Sequence, residues 1–205
     1  MSQQDLFGDA PESAPTPRPR QPRSPAAAAQ HSWFFALRPH SEDAARIDAF
    51  AQRLLVSHGI TGKRIGPDRL HISLVAVGDD IAAGEVDAAC SAADKVHLPA
   101  ITARFDSAMT FSAPQGPFVL LGAKGMDGMD AVRRLRTALG CAMADHGFKP
   151  SRSYEPHMTL CYDAHNRAQP THIDPIELHI AEFALIKSHI GLSRHEVLRT
   201  WPLHG

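Results

Sequence analysis

Two short segments of this chain share one pattern: LHISL at residues 70–74 and PHMTL at residues 156–160. After its first residue, each reads as histidine, apolar residue, hydroxyl residue, apolar residue. In a β-strand the side chains at positions i and i+2 point to the same face. Each segment is therefore predicted to be a short strand with an imidazole and a hydroxyl on one face and apolar side chains buried on the other. Their places in the two half-chains predict two lobes that each contribute one such strand to a shared cleft.

The polar side chains predicted to face this cleft are His71, Ser73, His157 and Thr159. In-line attack on phosphorus needs a neutral imidazole that takes a proton from the nucleophile and a protonated one that gives a proton to the leaving oxygen. Histidine suits both roles because its unperturbed pKa is ~6.5. Hydroxyl groups can hold the non-bridging phosphate oxygens by hydrogen bonds. The pattern therefore predicts a phosphoryl-transfer site with two histidines as acid and base.

The sequence around these segments mixes strand and helix patterns. Apolar residues at helical spacing predict three helices: one capped by Ser41 and ending at Gly59, one over residues 81–95, and one from Met129 to Gly147. Strands are predicted at residues 32–37, 70–77, 100–106, 117–123, 155–162, 176–188 and 195–202, with Gly191 in the last turn. Hairpins mixed with helices favour an α+β fold over a doubly wound parallel sheet.

Composition narrows the class of protein. The chain has 205 residues, of which 43% are hydrophobic, and its formal net charge is -1. Proteins that coat nucleic acid usually carry a marked basic excess, so the charge argues against that class. No apolar run approaches the ~18 residues of a membrane span, and no signal peptide is apparent. The three cysteines form no CxxC pair, which is typical of a reducing cytosol and predicts a cytoplasmic location.

The N-terminal segment differs in composition from the rest of the chain. Residues 1–30 are rich in proline and alanine and nearly free of large apolar side chains, which predicts a disordered tail. Folded sequence is predicted from residue 31 to residue 205 as one bilobal domain, expected to be a monomer.

Histidine is abundant, with thirteen in the chain, and several crowd the C-terminal third. A metal site would favour a tight pattern such as HExxH or a Cys/His pair, and neither occurs. Glycine-rich phosphate loops of the GxGxxG or GxxxxGK[ST] type are also missing from the sequence. We therefore expect neither a metal nor an organic cofactor.

The two motifs and their flanking strands together resemble the 2H phosphoesterase superfamily, and most closely its 2′-5′ RNA ligase-like, RNA 2′,3′-cyclic phosphodiesterase branch. The resemblance covers about residues 31–203 and rests on SWFFALRP, LHISL, PHMTL, ALIKSHIG and VLRTWPL. It implies two antiparallel sheet lobes related by a pseudo-twofold axis, with helices packed outside and a central cleft. It also implies metal-independent hydrolysis of 2′,3′-cyclic phosphate ends to 2′-phosphates.

The resemblance also implies roles for single residues. His71 would donate a proton to the leaving 3′ oxygen, and His157 would activate water. Ser73 and Thr159 would hold the phosphate; Ser73 stands where the family more often has threonine.

Three further positions carry weaker signals. Arg152 is the candidate for a basic residue that the family often has shortly before its second motif, and Tyr154 is a candidate to stack on a base. At position 195 this chain has histidine where the family often has tyrosine.

Two alternatives remain open at this stage. A nucleotide- or RNA-binding module could keep the same fold with little turnover, although the intact histidines and hydroxyls in both motifs favour an enzyme. Ligation that forms a 2′-5′ bond is the reverse of the same chemistry, and the concentration of water favours hydrolysis. The expected partners are RNA ends or small cyclic nucleotides.

A short peptide near the N-terminus suggests one more partner. Residues 3–7, QQDLF, resemble the peptide with which many bacterial replication and repair proteins bind the DNA polymerase sliding clamp. Leu6 and Phe7 are large apolar side chains on an otherwise solvated tail, and Gln3 occupies the polar position of that peptide. An apolar pair on a flexible tether suits a hydrophobic groove on a partner.

Overall fold

The computed structural model describes residues 30–122, 129–151 and 153–204. The predicted N-terminal tail, with Gln3, Leu6 and Phe7, lies outside the described residues, and so does Arg152. In the part that is described, no helix is long and apolar enough to cross a membrane.

The described residues form nine strands and three α-helices. The strands are β1 (His31–Leu37), β2 (Lys63–Arg64), β3 (Ile72–Asp79), β4 (Ile101–Thr110), β5 (Pro117–Leu121), β6 (His157–Tyr162), β7 (Thr171–Ile180), β8 (Glu182–His189) and β9 (Arg194–Pro202). The helices are α1 (Ser41–Ser57), α2 (Ala83–Ala93) and α3 (Met129–Asp145), and a 3₁₀ turn covers Pro67–Arg69. This combination of strands and helices confirms the predicted α+β class.

The sheet is antiparallel and divides into two halves. Its strand order is β7-β4-β5-β6-β3-β1-β8-β9, with β2 paired to β6. The halves meet at β3 and β6 through one backbone pair, Ile72 with Met158. Each half contains the same strand–helix–strand unit, β1-α1-β3 in one and β5-α3-β6 in the other. The two motif strands therefore occupy equivalent positions at the centre of the molecule.

The faces of the motif strands follow the predicted alternation. Ile72 and Met158 are fully buried in the hydrophobic core. On the other face, Ser73 is exposed and Thr159 is half-buried. The apolar residues of each motif thus fix its strand to the core and leave the polar residues free to line a cleft.

The predicted strand over residues 176–188 is wrong. The chain bends at Ala181, which separates β7 from β8. Strand β7 pairs with β4 in one half, whereas β8 pairs with β1 and β9 in the other. The apolar pattern runs through this crossing without a glycine or proline, so local sequence carries no signal for the break.

The start of the first helix also differs from its prediction. Helix α1 begins at Ser41 itself, and the capping position belongs to His40, whose side chain makes no capping hydrogen bond. The backbone N–H of Ala44 donates to the His40 carbonyl instead.

Candidate active site

The four polar motif residues come together where the two halves meet. Ile72 lies opposite Met158 in the antiparallel pairing of β3 and β6. In that register, position 71 lies opposite position 159, and position 73 lies opposite position 157. Each imidazole therefore has the hydroxyl residue of the other strand as its cross-strand neighbour.

Both imidazoles are fixed by the same backbone contact. His71 Nδ1 lies 2.7 Å from the carbonyl oxygen of Arg69, and His157 Nδ1 lies 2.7 Å from that of Glu155. A carbonyl oxygen can only accept, so Nδ1 carries the proton and donates in both rings. The Nε2 atom of each ring is then left to exchange a proton with a substrate.

Each of these imidazoles also contacts one phenylalanine. The ring centroid of Phe34 lies 5.1 Å from that of His71, and the centroid of Phe111 lies 5.0 Å from that of His157. These contacts limit ring rotation beyond what the Nδ1 hydrogen bond achieves. The signal for Phe34 was present in the pair Phe34-Phe35, because strand alternation buries Phe35 in the core and turns Phe34 to the opposite face.

A third histidine belongs to the same cluster. The ring of His195, on β9, meets the ring of His71 edge-on at a centroid distance of 5.3 Å. It also lies 5.6 Å from the ring of Phe34. The sequence indicated His195 only as a departure from the family. No local sequence pattern shows that β9 brings this residue next to His71.

Comparison with known proteins gives a family and several structural relatives. Residues 39–196 match the model of the 2'-5' RNA ligase superfamily. The chain belongs to this superfamily. None of the curated protein sequences matches it.

Among solved structures, one described as a phosphoesterase shares 24% sequence identity with this chain. The two superimpose with a TM-score of 0.69, and the match covers 86% of this chain and 99% of that chain. Escherichia coli LigT complexed with ATP shares 22% identity, with a TM-score of 0.66 over 85% and 99%. The protein TT0787 of Thermus thermophilus shares 19% identity, with a TM-score of 0.67 over 85% and 98%. At these identities the structures establish the fold, and the superfamily indicates a phosphoesterase-type enzyme.

Burial and nearby charges lower the pKa values of His71 and His195. Burial lowers the pKa of His71 to about 4, and the charges of His157, Arg69 and Arg38 act in the same direction. The hydrogen bond to the Arg69 carbonyl opposes this shift. Burial likewise lowers the pKa of His195 to about 4, with further contributions from His71, Arg69 and Arg38. Both rings are neutral in the empty site at pH 7, and Arg38 and Arg69 supply positive charge beside them.

Tyr154 connects the two halves of the superfamily fold. Its hydroxyl donates to the carbonyl oxygen of Ser73 over 2.8 Å, and the guanidinium of Arg136 lies 5.2 Å from its ring centroid. Burial raises the pKa of the Tyr154 hydroxyl, so it stays protonated and remains a donor. Tyr154 thereby positions the strand that carries the first motif, and its stacking on a base stays a prediction.

The histidines of the site do not form part of a metal-binding cluster. Within residues 30–122, 129–151 and 153–204, no three His, Cys, Asp or Glu side chains converge to hold a metal ion.

Proposed function

We propose that this protein hydrolyses RNA 2′,3′-cyclic phosphate ends to 2′-phosphomonoesters, with two histidines as acid and base and no metal. One observation carries the proposal. Two imidazoles from equivalent strands are held by the same Nδ1 contact, so that each has its Nε2 atom available for proton transfer. Cleavage of a phosphodiester needs two such proton transfers, one at the nucleophile and one at the leaving group.

The proposed reaction uses each motif residue once. His157 takes a proton from water as the water oxygen attacks phosphorus. The bond between phosphorus and the 3′ oxygen breaks, and His71 gives its proton to that oxygen. Ser73 and Thr159 donate hydrogen bonds to the non-bridging oxygens, whose negative charge also attracts Arg38 and Arg69. Water adds across one P–O bond, and the product carries a 2′-phosphate and a free 3′-hydroxyl.

The acid role of His71 requires that the substrate brings the ring into its charged form. A pKa of about 4 leaves His71 neutral in the empty site at pH 7. A bound phosphate places negative charge beside the ring and offsets the two arginines, which favours the imidazolium. Protonation of the acid is thereby coupled to occupancy of the site.

The proposal is tested with a dinucleotide ending in a 2′,3′-cyclic phosphate, incubated in EDTA. We expect turnover, with a 2′-phosphate identified by phosphorus NMR against authentic 2′- and 3′-monophosphates. His71→Ala and His157→Ala should each lower kcat by at least ~10²-fold, the usual effect of removing a general acid or base.

Three outcomes would contradict the proposal. A 3′-phosphate product would place the leaving oxygen at the wrong ribose position. Loss of turnover in EDTA with recovery on adding Mn²⁺ or Zn²⁺ would show a metal enzyme. Tight binding of the dinucleotide without hydrolysis would favour a nucleotide-binding module.

A further inference from the structure

A groove of about 420 Å³ has Arg69, whose carbonyl oxygen holds His71, among its lining residues. Its walls come from β2 and the segment after it, from the end of β6, from the loop before β5 and from the turn between β8 and β9. The lining includes Lys63, Arg69, Gln115, Tyr162, Ile190 and Ser193. Pockets that hold small ligands have volumes of about 300–1,000 Å³, so this groove has room for a nucleotide.

A β-bulge in β6 turns Tyr162 into this groove. Val119 of β5 pairs with Thr159, and the preceding Phe118 pairs with Cys161, so Leu160 is an extra residue in the ladder. Leu160 and Cys161 are both buried, and Tyr162 is 40% exposed. Strict alternation would have buried Tyr162 on the face of Leu160, whereas the bulge returns it to the face of Thr159.

Three residues that line the groove are close in sequence to residues of the site. The carbonyl oxygen of Arg69 accepts the Nδ1 proton of His71, and Arg69 is also one of the residues that line the groove. Tyr162 follows Thr159 by three residues on β6. Ser193 precedes His195 by two residues, at the start of β9. Arg69 is the structural link between the two, so a chain bound at the histidines is expected to reach the groove along this residue.

The lining has the chemistry of a nucleotide site. Lys63 and Arg69 are cations suited to a phosphodiester, and Tyr162 offers an aromatic face on which a base can stack. The next arginine, Arg64, is directed away by an ion pair of 2.7 Å with Asp48. The nearby carboxylate of Asp163 is occupied by the backbone N–H groups of Thr61, His165 and Asn166.

We propose that this groove binds the nucleotide that precedes the cyclic phosphate end of a single-stranded RNA. This inference rests on the proposed function and adds to it a preference for oligonucleotides over cyclic mononucleotides. Tyr162 stacks on the penultimate base, and Lys63 contacts the phosphodiester that joins the last two nucleotides. The last nucleotide with its cyclic phosphate occupies the site between the histidines.

The test compares kcat/KM for two substrates: the linear dinucleotide ApA ending in a 2′,3′-cyclic phosphate, and the mononucleotide 2′,3′-cyclic AMP. The quantity followed is the dinucleotide value divided by the mononucleotide value. Loss of base stacking in Tyr162→Ala should lower the ratio of the two constants roughly 10-fold. Tyr162→Phe keeps the aromatic face and should preserve the ratio. Lys63→Ala should lower the ratio and weaken its dependence on salt. The matched control is Lys95→Ala, which removes an exposed charge that follows α2 and does not line the groove.

A binding measurement keeps the inference independent of turnover. The probe is a fluorescein-labelled adenosine trinucleotide with a 2′-phosphate, followed by fluorescence anisotropy. Tyr162→Ala should raise Kd roughly 10-fold, and Lys95→Ala should leave it unchanged. Equal kcat/KM ratios in wild type and Tyr162→Ala, or an unchanged Kd, would overturn the inference. Failure of the wild type to cleave either substrate would instead overturn the proposed function, and the anisotropy result would still decide the role of the groove.

Discussion

The pKa of His71 is set by burial and by charged neighbours, of which Arg69 is close in sequence while Arg38 and His157 are distant. Burial, His157, Arg69 and Arg38 all disfavour its charged form. Without ligand, we expect its ring protons to titrate near pH 4 by NMR, with the assignment made from the His71→Gln spectrum. With 2′-AMP bound, the pKa should rise, since a phosphate stabilises the imidazolium.

The sign of this shift has a kinetic consequence. In the proposed mechanism His71 must be charged to act as the acid, so activity should fall as the pH rises through the pKa of His71. The basic limb of kcat should therefore lie at higher pH than the basic limb of kcat/KM, since the first reports the complex and the second the free enzyme. A His71 pKa that stays near 4 in the complex would contradict the assignment of His71 as the acid.

The sequence predicted only some of the residues that make up the site. The pairing of imidazole with hydroxyl followed from the i, i+2 spacing, and the structure brings those four residues together. The contact of His195 with His71 did not follow from sequence, because β9 reaches β3 only through β8 and β1. The cations Arg38 and Arg69 were missed for a related reason, since their effect depends on the fold of the loops that carry them.

At the scale of elements, the end of β6 is held by one carboxylate. Asp163 accepts hydrogen bonds from the backbone N–H groups of Thr61, His165 and Asn166 and from the side-chain amide of Asn166. These bonds lower the pKa of Asp163 and connect the end of β6 to the loop before β2. Gly116 is packed so closely here that a Cβ atom would clash with the Asp163 carbonyl oxygen.

Asp163→Asn should therefore destabilise the protein in a pH-dependent way. A carboxyl whose pKa is lowered by folding contributes stability above its unfolded pKa of ~3.9 and loses it as the pH falls further. The difference in free energy of unfolding between wild type and Asp163→Asn should be largest at neutral pH and shrink below about pH 4. Urea unfolding at pH 7 and pH 3 measures it. A difference that is equal at both pH values would show that the carboxylate charge plays no part.

Elements differ in how far sequence determines them. Helix α3 and the motif strands were predicted from periodicity, because each buries one face against the core. The bulge at Leu160 was not predicted, because it arises from the register of β6 with β5 and has no local sequence pattern. The break at Ala181 escaped prediction because β7 and β8 pair with strands in different halves.

At the scale of the whole molecule, the binding of a partner by the N-terminal peptide remains a proposal. We propose that Gln3, Leu6 and Phe7 bind the DNA polymerase sliding clamp of the same organism. A labelled peptide of residues 1–12 should bind that clamp by fluorescence anisotropy, and the Leu6→Ala, Phe7→Ala double variant should not, because it lacks both apolar anchors. Lack of binding by ~100 μM, or equal binding by the double variant, would refute the proposal.

The identical backbone contacts of His71 and His157 have a consequence for how a substrate is oriented. When a phosphate between the two imidazoles is turned by half a revolution, it meets on either side an Nε2 atom that is held in the same way. In the proposed reaction, the motifs alone therefore do not select which ribose oxygen departs. That choice belongs to whatever breaks the symmetry, namely His195 and the two arginines on one side and the groove that holds Tyr162. For the proposed reaction, the direction of bond cleavage is therefore expected to be determined outside the two motifs.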